Sequence, residues 1–369
     1  MFESFESRNI KKFKPNGTID CNENEVNYHY TSSSSLLSIL KGRNIRFTDA
    51  WFMNDKSEMT YFIDRLVDFL KENKGYSKCI EAFENLLLNG APLESYKKVD
   101  ISTLRFYTDI EVLKDKKTRQ FVFCMSESSD SLNMWNYYSH SNNYQGYNIG
   151  VNVKEFLKTL NKRSELPIDP YFIYYGKVIY AEQEKKQEIR DFCNFLENDD
   201  LPSRQRGRYL WEYITTYGLF YKDNAFKNEE EYRIVISVSE DILLSPTKEQ
   251  KQESSTVLKD ASECVLNVVT KEQKTERDET AVRVAEGQLD EEIKTNDEDG
   301  IIPEYKFDFY ERKGIIVPYL SVMFSKNAIK SITIAPTLDE KLATSSLEGF
   351  LEINGYKAKV SNSKIPIRF

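Results

Sequence analysis

Residues 245–300 contain no Phe, Tyr or Trp, although the 369-residue chain holds 48 of them. The same stretch carries 15 acidic and 8 basic side chains, net −7, leaving 43 basic against 44 acidic residues elsewhere. Without large apolar groups it cannot bury enough surface to offset the entropy of ordering it. A solvated acidic insertion is expected there, with a transient helix around 257–269, acting as a surface tether or as a docking loop for a protein partner. The core must then be closed by two pieces far apart in sequence, 27–244 and 301–369, preceded by an N-terminal extension over 1–26.

Both pieces alternate strand-like and helix-like stretches. NYHYT at 27–31 and NIRFT at 44–48 read as short strands around a helix at 35–40, with a turn at Gly42. Tyr61, Phe62, Leu66, Phe69 and Leu70 recur at helical spacing within 57–72, and a second helix follows at 79–88. FVFCMS at 121–126 is apolar on both faces, the mark of a sheet interior. Strands at 146–153, 171–180 and 232–238 enclose helices at 184–196 and 204–221. After the insertion come strands at 306–310, 314–319, 331–334 and 358–361, with a helix at 338–354. This pattern predicts one α+β domain with a mixed, mainly antiparallel sheet, interrupted by a helical insert at about 57–115 and by the acidic segment.

Several classes are excluded. No run of about 18 apolar residues exists, and the start MFESFESRNIKKF lacks the apolar stretch of a signal peptide, so a soluble cytoplasmic protein without membrane association is expected. Cys21, Cys79, Cys124, Cys193 and Cys264 form no C-x-x-C pair and read as reduced thiols. With only His29 and His140, a histidine-rich or short-spaced zinc site is ruled out, while a site made of carboxylates stays open. The acidic balance argues against sequence-independent DNA binding, and no glycine-rich phosphate loop is present.

Four clusters place polar residues at strand ends or turns, where side chains converge on clefts. His29 lies in the alternating strand Tyr28-His29-Tyr30-Thr31, where a satisfied structural histidine is the commoner outcome. Asn54, Asp55 and Glu58 precede a helix; capping is the ordinary role, and holding a ribose, an amide or a hard metal ion is the functional one. Trp135, Tyr138 and Tyr147 surround a polar turn and suit either the core or an aromatic wall that stacks a planar ring. In Glu229-Glu230-Glu231-Tyr232-Arg233, an extended chain would put Glu229, Glu231 and Arg233 on one face, where they need partners or a cleft.

Taken in order, Asn54-Asp55-x-x-Glu58, Met134-Trp135-x-x-Tyr138 with Gly146, Glu229-x-Glu231-x-Arg233, Ile334-Ala335-Pro336 and Ser363-x-Ile365-Pro366-x-Arg368 resemble a bacterial domain-of-unknown-function family whose members often occur near phage-defence genes. Lys56, Phe226 and Ala335 depart from the Pro, Trp and Gly usual there. More faintly, His29 or Tyr30 with Thr31, then a mid-chain Tyr, then a strand-borne Glu-x-Glu is similar to the three-part signature of ADP-ribosyltransferases. That likeness implies an ADP-ribosyltransferase-like fold and NAD as substrate. It implies His29, Tyr30 and Thr31 on the ribose and nicotinamide amide, Tyr138 or Tyr147 stacked on nicotinamide, and Glu231 polarising the ribose.

On this reading Glu229 serves the acceptor, Asn54 contributes to ligand binding, and Arg43 or Arg233 pairs with the pyrophosphate. The expected function is an NAD-using ADP-ribosyltransferase or NAD glycohydrolase, a defence or toxin effector whose acceptor is a protein side chain, a nucleic-acid base, a small molecule or water. Two rivals remain. One is a Mg²⁺-dependent nuclease or phosphoesterase with Asp55, Glu58, Glu229 and Glu231 as oxygen ligands. The other is a non-catalytic sensor or interaction module built on the many tyrosines.

Overall fold

A computed structural model of the chain describes residues 5–13, 17–53, 58–97, 118–138, 144–161, 172–239 and 305–367. The chain divides into two units, Met1–Leu243 with Ile302–Phe369, and Leu244–Ile301. The acidic insertion lies outside the described residues, as do the Asn54–Ser57 part of the second cluster and the end of the helical insert. No helix among the described residues is long and apolar enough to cross a membrane.

The first unit is built on one sheet that divides at β4 (Thr118–Ser126). One flank of β4 pairs along its whole length with β7 (Glu231–Ser239), from Thr118 opposite Ser239 to Ser126 opposite Glu231. Beyond β7 lie β6 (Phe172–Lys177) and the edge strand β1 (Ile10–Phe13). The other flank forks. β3 (Asn44–Asp49) pairs with β4 at Phe121 and Val122, whereas β2 (Val26–Thr31) pairs with it at Ser126. One branch continues from β2 to β5 (Tyr147–Asn152), β10 (Ile329–Ile334) and β11 (Lys359–Asn362). The other continues from β3 to β9 (Ile315–Met323) and β8 (Tyr305–Arg312). Apart from parallel β10–β11, every named strand pairing is antiparallel.

Because side chains alternate across a strand, β4 and β7 feed two cores. Val122 and Val235 face a layer made by α2 (Glu58–Glu72), α3 (Ser77–Leu87), α6 (Glu182–Leu196) and α7 (Ser203–Thr215) with a 3₁₀ turn at Tyr217–Phe220. Phe121, Phe123, Ile234 and Ile236 face the other way, toward α1 (Ser33–Gly42), α5 (Val153–Asn161) and α8 (Glu340–Ile353). The α4 turn (Leu132–Tyr138) seats Met134 and Trp135 in a small third core with Tyr30 and Ala335.

The structure adds two details to the sequence reading. The stretch read as an N-terminal extension supplies β1 and a latch: the Ser7 hydroxyl, the Arg8 amide and the Asn9 side chain all donate to the buried Glu188 carboxylate at 3.0–3.1 Å. Its alternation covers four residues, too few to stand out from sequence. The helices read as an insert pack with α6 and α7 in one continuous core. Helix α5, also absent from the sequence reading, starts directly from β5, with the Asn152 side chain accepting the Glu155 amide at 2.8 Å.

Candidate functional site

Between Val122, opposite β3, and Ser126, opposite β2, the β4 edge passes the fork at Phe123, Cys124 and Met125. The Cys124 carbonyl lies 3.1 Å from His29 Nδ1. A carbonyl only accepts, so Nδ1 carries the hydrogen and Nε2 of the neutral ring is the acceptor. Burial lowers the His29 pKa and outweighs the opposing bond to Cys124, which keeps the ring neutral.

The fork opens into a cleft of about 430 Å³, within the range of small-molecule sites. His29 and Tyr30 from β2, Cys124 from β4, Tyr138 from α4, and Glu229 and Glu231 all line it. The two glutamates reach it by a turn the sequence reading missed. Asn224–Glu229 is a 3₁₀ helix capped by the Asp223 side chain, Glu230 is left-handed at φ 44°, and β7 begins only at Glu231. Glu229 is therefore not in the extended chain expected for it. Two bonds fix the turn: the Glu127 amide donates to the Glu230 carbonyl at 2.8 Å, and the Ser126 hydroxyl to the Glu229 carbonyl at 2.8 Å.

Lys222, unremarked in sequence, lies between the carboxylates. Its Nζ is 2.7 Å from Glu229 Oε2 and 3.2 Å from Glu231 Oε2. Arg233 donates to Glu231 Oε2 at 2.6 Å and also to the Leu219 carbonyl. All four charged side chains are buried. Their environments push the two acids apart. Burial raises the Glu229 pKa, and Lys222 offsets only part of that. Burial also acts to raise Glu231, but Arg233 and Lys222 together outweigh it and hold that carboxyl below the ordinary range. Such a split makes Glu231 the member that holds its charge more firmly and Glu229 the more basic one. Burial, then the charges of Glu229 and Glu231, push the Tyr138 hydroxyl far up, so that side chain remains a neutral aromatic beside the pair.

The remaining expected residues are placed elsewhere. Thr31 and Tyr147 face each other across β2 and β5, and Tyr147 packs against the second core; neither lines the cleft. Arg43 is the left-handed cap of α1, its guanidinium bonded to the Phe324 carbonyl at 3.3 Å, directly after the turn expected at Gly42. Arg233 is fully buried, its guanidinium held by Glu231 and the Leu219 carbonyl, and it does not line the cleft. Neither of the two arginines expected to meet a pyrophosphate lines the cleft. Asn54 and Asp55 lie outside the described residues, as does the side chain of Glu58. Among the described residues no group of three or more His, Cys, Asp or Glu could hold a metal ion, and Glu229 and Glu231 share Lys222, with Arg233 on Glu231 as well.

Two motifs prove to be scaffold. Asp130 accepts the Trp135 indole N–H at 2.7 Å, the Ser363 hydroxyl at 2.7 Å and the Lys364 amide at 2.8 Å, tying the Met-Trp turn to the Ser-x-Ile-Pro tail. Tyr30 stacks edge-on against Trp135 at 4.7 Å, donates to the Ser128 carbonyl and accepts the Ser131 amide.

A family model described as "Protein of unknown function (DUF2971)" matches residues 134–234. The match begins at the Met-Trp turn and ends one residue after Arg233, so it takes in Tyr138, Lys222, Glu229 and Glu231. No curated protein and no solved structure matches the chain.

Proposed function

We propose that the cleft cleaves the bond between nicotinamide and ribose in NAD and passes the ADP-ribosyl group to an acceptor or to water, as an effector enzyme in defence or toxicity would. One observation carries this reading: an ionised buried carboxylate, a neutral tyrosine and a neutral histidine from three separate elements share a single cleft with a second carboxylate whose proton affinity burial raises. As the C1′–N bond breaks, its electron pair leaves with nicotinamide and positive charge develops on the ribose. Glu231, kept charged by Arg233, opposes that charge in a site where burial strengthens the interaction. Glu229 takes the proton of the incoming hydroxyl, amine or water as it attacks C1′. Tyr138 offers its face to the nicotinamide ring. His29 Nε2 accepts from a ribose hydroxyl or from the carboxamide.

The test is nicotinamide release by the purified chain. Glu231→Gln keeps shape and hydrogen bonding but removes the charge. Turnover is expected to fall about a hundredfold or more with NAD affinity little changed, because the lost interaction belongs to the transition state. Glu229→Gln should impair transfer to the acceptor more than cleavage. Unchanged nicotinamide release in Glu231→Gln rejects the reading.

A further inference from the structure

We infer that Arg46 and Arg312 form a phosphate subsite in the same cleft, reached from the other flank of β4. Within β3 the buried side chains are Ile45, Phe47 and Asp49, so Asn44, Arg46 and Thr48 share the opposite face. Arg46 and Thr48 line the cleft, as does Arg312 at the end of β8. Both residues bring a guanidinium cation to this wall. Neither is paired with a carboxylate among the described residues. The acids of the same two strands have other partners: Asp49 accepts the Trp51 amide and faces Arg119 at 3.6 Å, Asp308 faces Lys306 at 3.6 Å, and Glu311 accepts the Gly314 amide.

What holds the two arginines is geometry without charge neutralisation. The Arg46 guanidinium lies 4.9 Å from the Tyr319 ring and 5.3 Å from the Tyr310 ring, and these rings meet edge-on at 5.6 Å. Stacking of this kind orients the planar fork and leaves its N–H edge for an acceptor. Arg312 is fixed by one bond to the Phe52 carbonyl and keeps further donors. The cleft is therefore bipolar, with glutamates beside β7 and guanidinium groups on the β3–β8 branch. A phosphate oxygen is the acceptor such forks match best. The fitting ligand carries phosphate at one end and an electron-poor reacting centre at the other. That phosphate has two sources: the diphosphate of a dinucleotide, or the backbone of a nucleic-acid acceptor. The choice between them rests on the proposed cleavage reaction; the subsite itself does not.

Binding of ADP, and separately of a short single-stranded oligothymidylate, is measured by calorimetry on the full chain, with Arg46→Gln and Arg312→Gln compared with the unchanged protein. ADP binding should weaken about tenfold or more in each variant, with the loss shrinking as salt is raised. The thermal transition reports whether each variant is folded, and Arg46→Lys and Arg312→Lys, which keep the charge without the fork, should recover part of the affinity. Arginine-dependent binding of the oligonucleotide alone upholds the subsite and assigns it to the nucleic-acid source. Equal binding to folded Gln variants, or binding of neither ligand, overturns it. Nicotinamide release by the unchanged protein is followed in parallel, so loss of the cleavage reading and loss of the subsite give different results.

Discussion

Lys222 places one ammonium between two carboxylates in a site closed to water on most sides, and that decides how the site responds to pH. Removing one partner of a buried ion pair leaves an uncompensated charge and costs about 3–5 kcal/mol, whereas an exposed pair is worth at most about 1. Lys222→Met is therefore expected to lower the unfolding free energy by about 3–5 kcal/mol near neutral pH. Glu229 already has a folded pKa raised by burial, and the substitution removes the cation that restrains it. A raised folded value means stability lost as pH climbs through it, so the deficit should grow from the ordinary carboxylate range upward and shrink below it. Denaturant titrations across that range check this, and a deficit independent of pH contradicts it. Glu231 behaves oppositely: its folded pKa is lowered, so its contribution is full above the ordinary range and disappears as acid protonates it. The Glu-x-Glu-x-Arg motif was visible in the chain, but its partner was not. Lys222 follows the aromatic run Tyr217–Tyr221 with no spacing signal, and only the turn at Glu230 brings both carboxylates to it.

At the scale of elements, the site depends on where strands stop pairing. β4 is long enough to hold β7 throughout on one flank and two different strands on the other, and the gap between those two is the cleft. The far edge depends on Gly176 in β6, directly opposite Ile10 of β1. A Cβ at that position would sit 2.3 Å from the Asn9 carbonyl oxygen and 3.2 Å from the Ile10 Cα, both rigid backbone. Gly176→Ala should push β1 off the sheet edge and cost about 1–3 kcal/mol, seen as a lower denaturation midpoint and faster exchange of the amides at 10–13. Ordinary stability with β1 amides still protected counts against this account. Most elements were readable because their periods were long: α2, α6, α7 and α8 fall close to the helical stretches expected, and β4 is the apolar strand at 121–126 with a short extension. β1 and α5 were not, since a four-residue strand and a nine-residue helix contiguous with a strand give weak patterns.

For the whole molecule, three cores surround one forked sheet, and the pieces that build them come from both sides of the acidic insertion. Composition alone assigns residues 245–300 no part in those cores, so replacing them with a short Gly/Ser linker should preserve a single cooperative thermal transition at a similar midpoint. Loss of that transition rejects the assignment. The sequence by itself determined the α+β class, the alternation of strands and helices, and the chemical types available for a site, because hydrophobic period and residue chemistry are local properties. It also brought forward His29, Tyr138, Glu229 and Glu231, which share the cleft. It could not separate them from Arg43, Arg233 and Tyr147, because a side chain's face is known from sequence but its depth is not. Depth and convergence are set by long-range pairing. The fork of β4 joins His29 to Cys124, a left-handed Glu230 turns two carboxylates onto Lys222, and the β3–β8 branch carries Arg46 and Arg312 to the same opening. Each depends on residues far apart in the chain meeting across a strand edge, a relation no local pattern encodes.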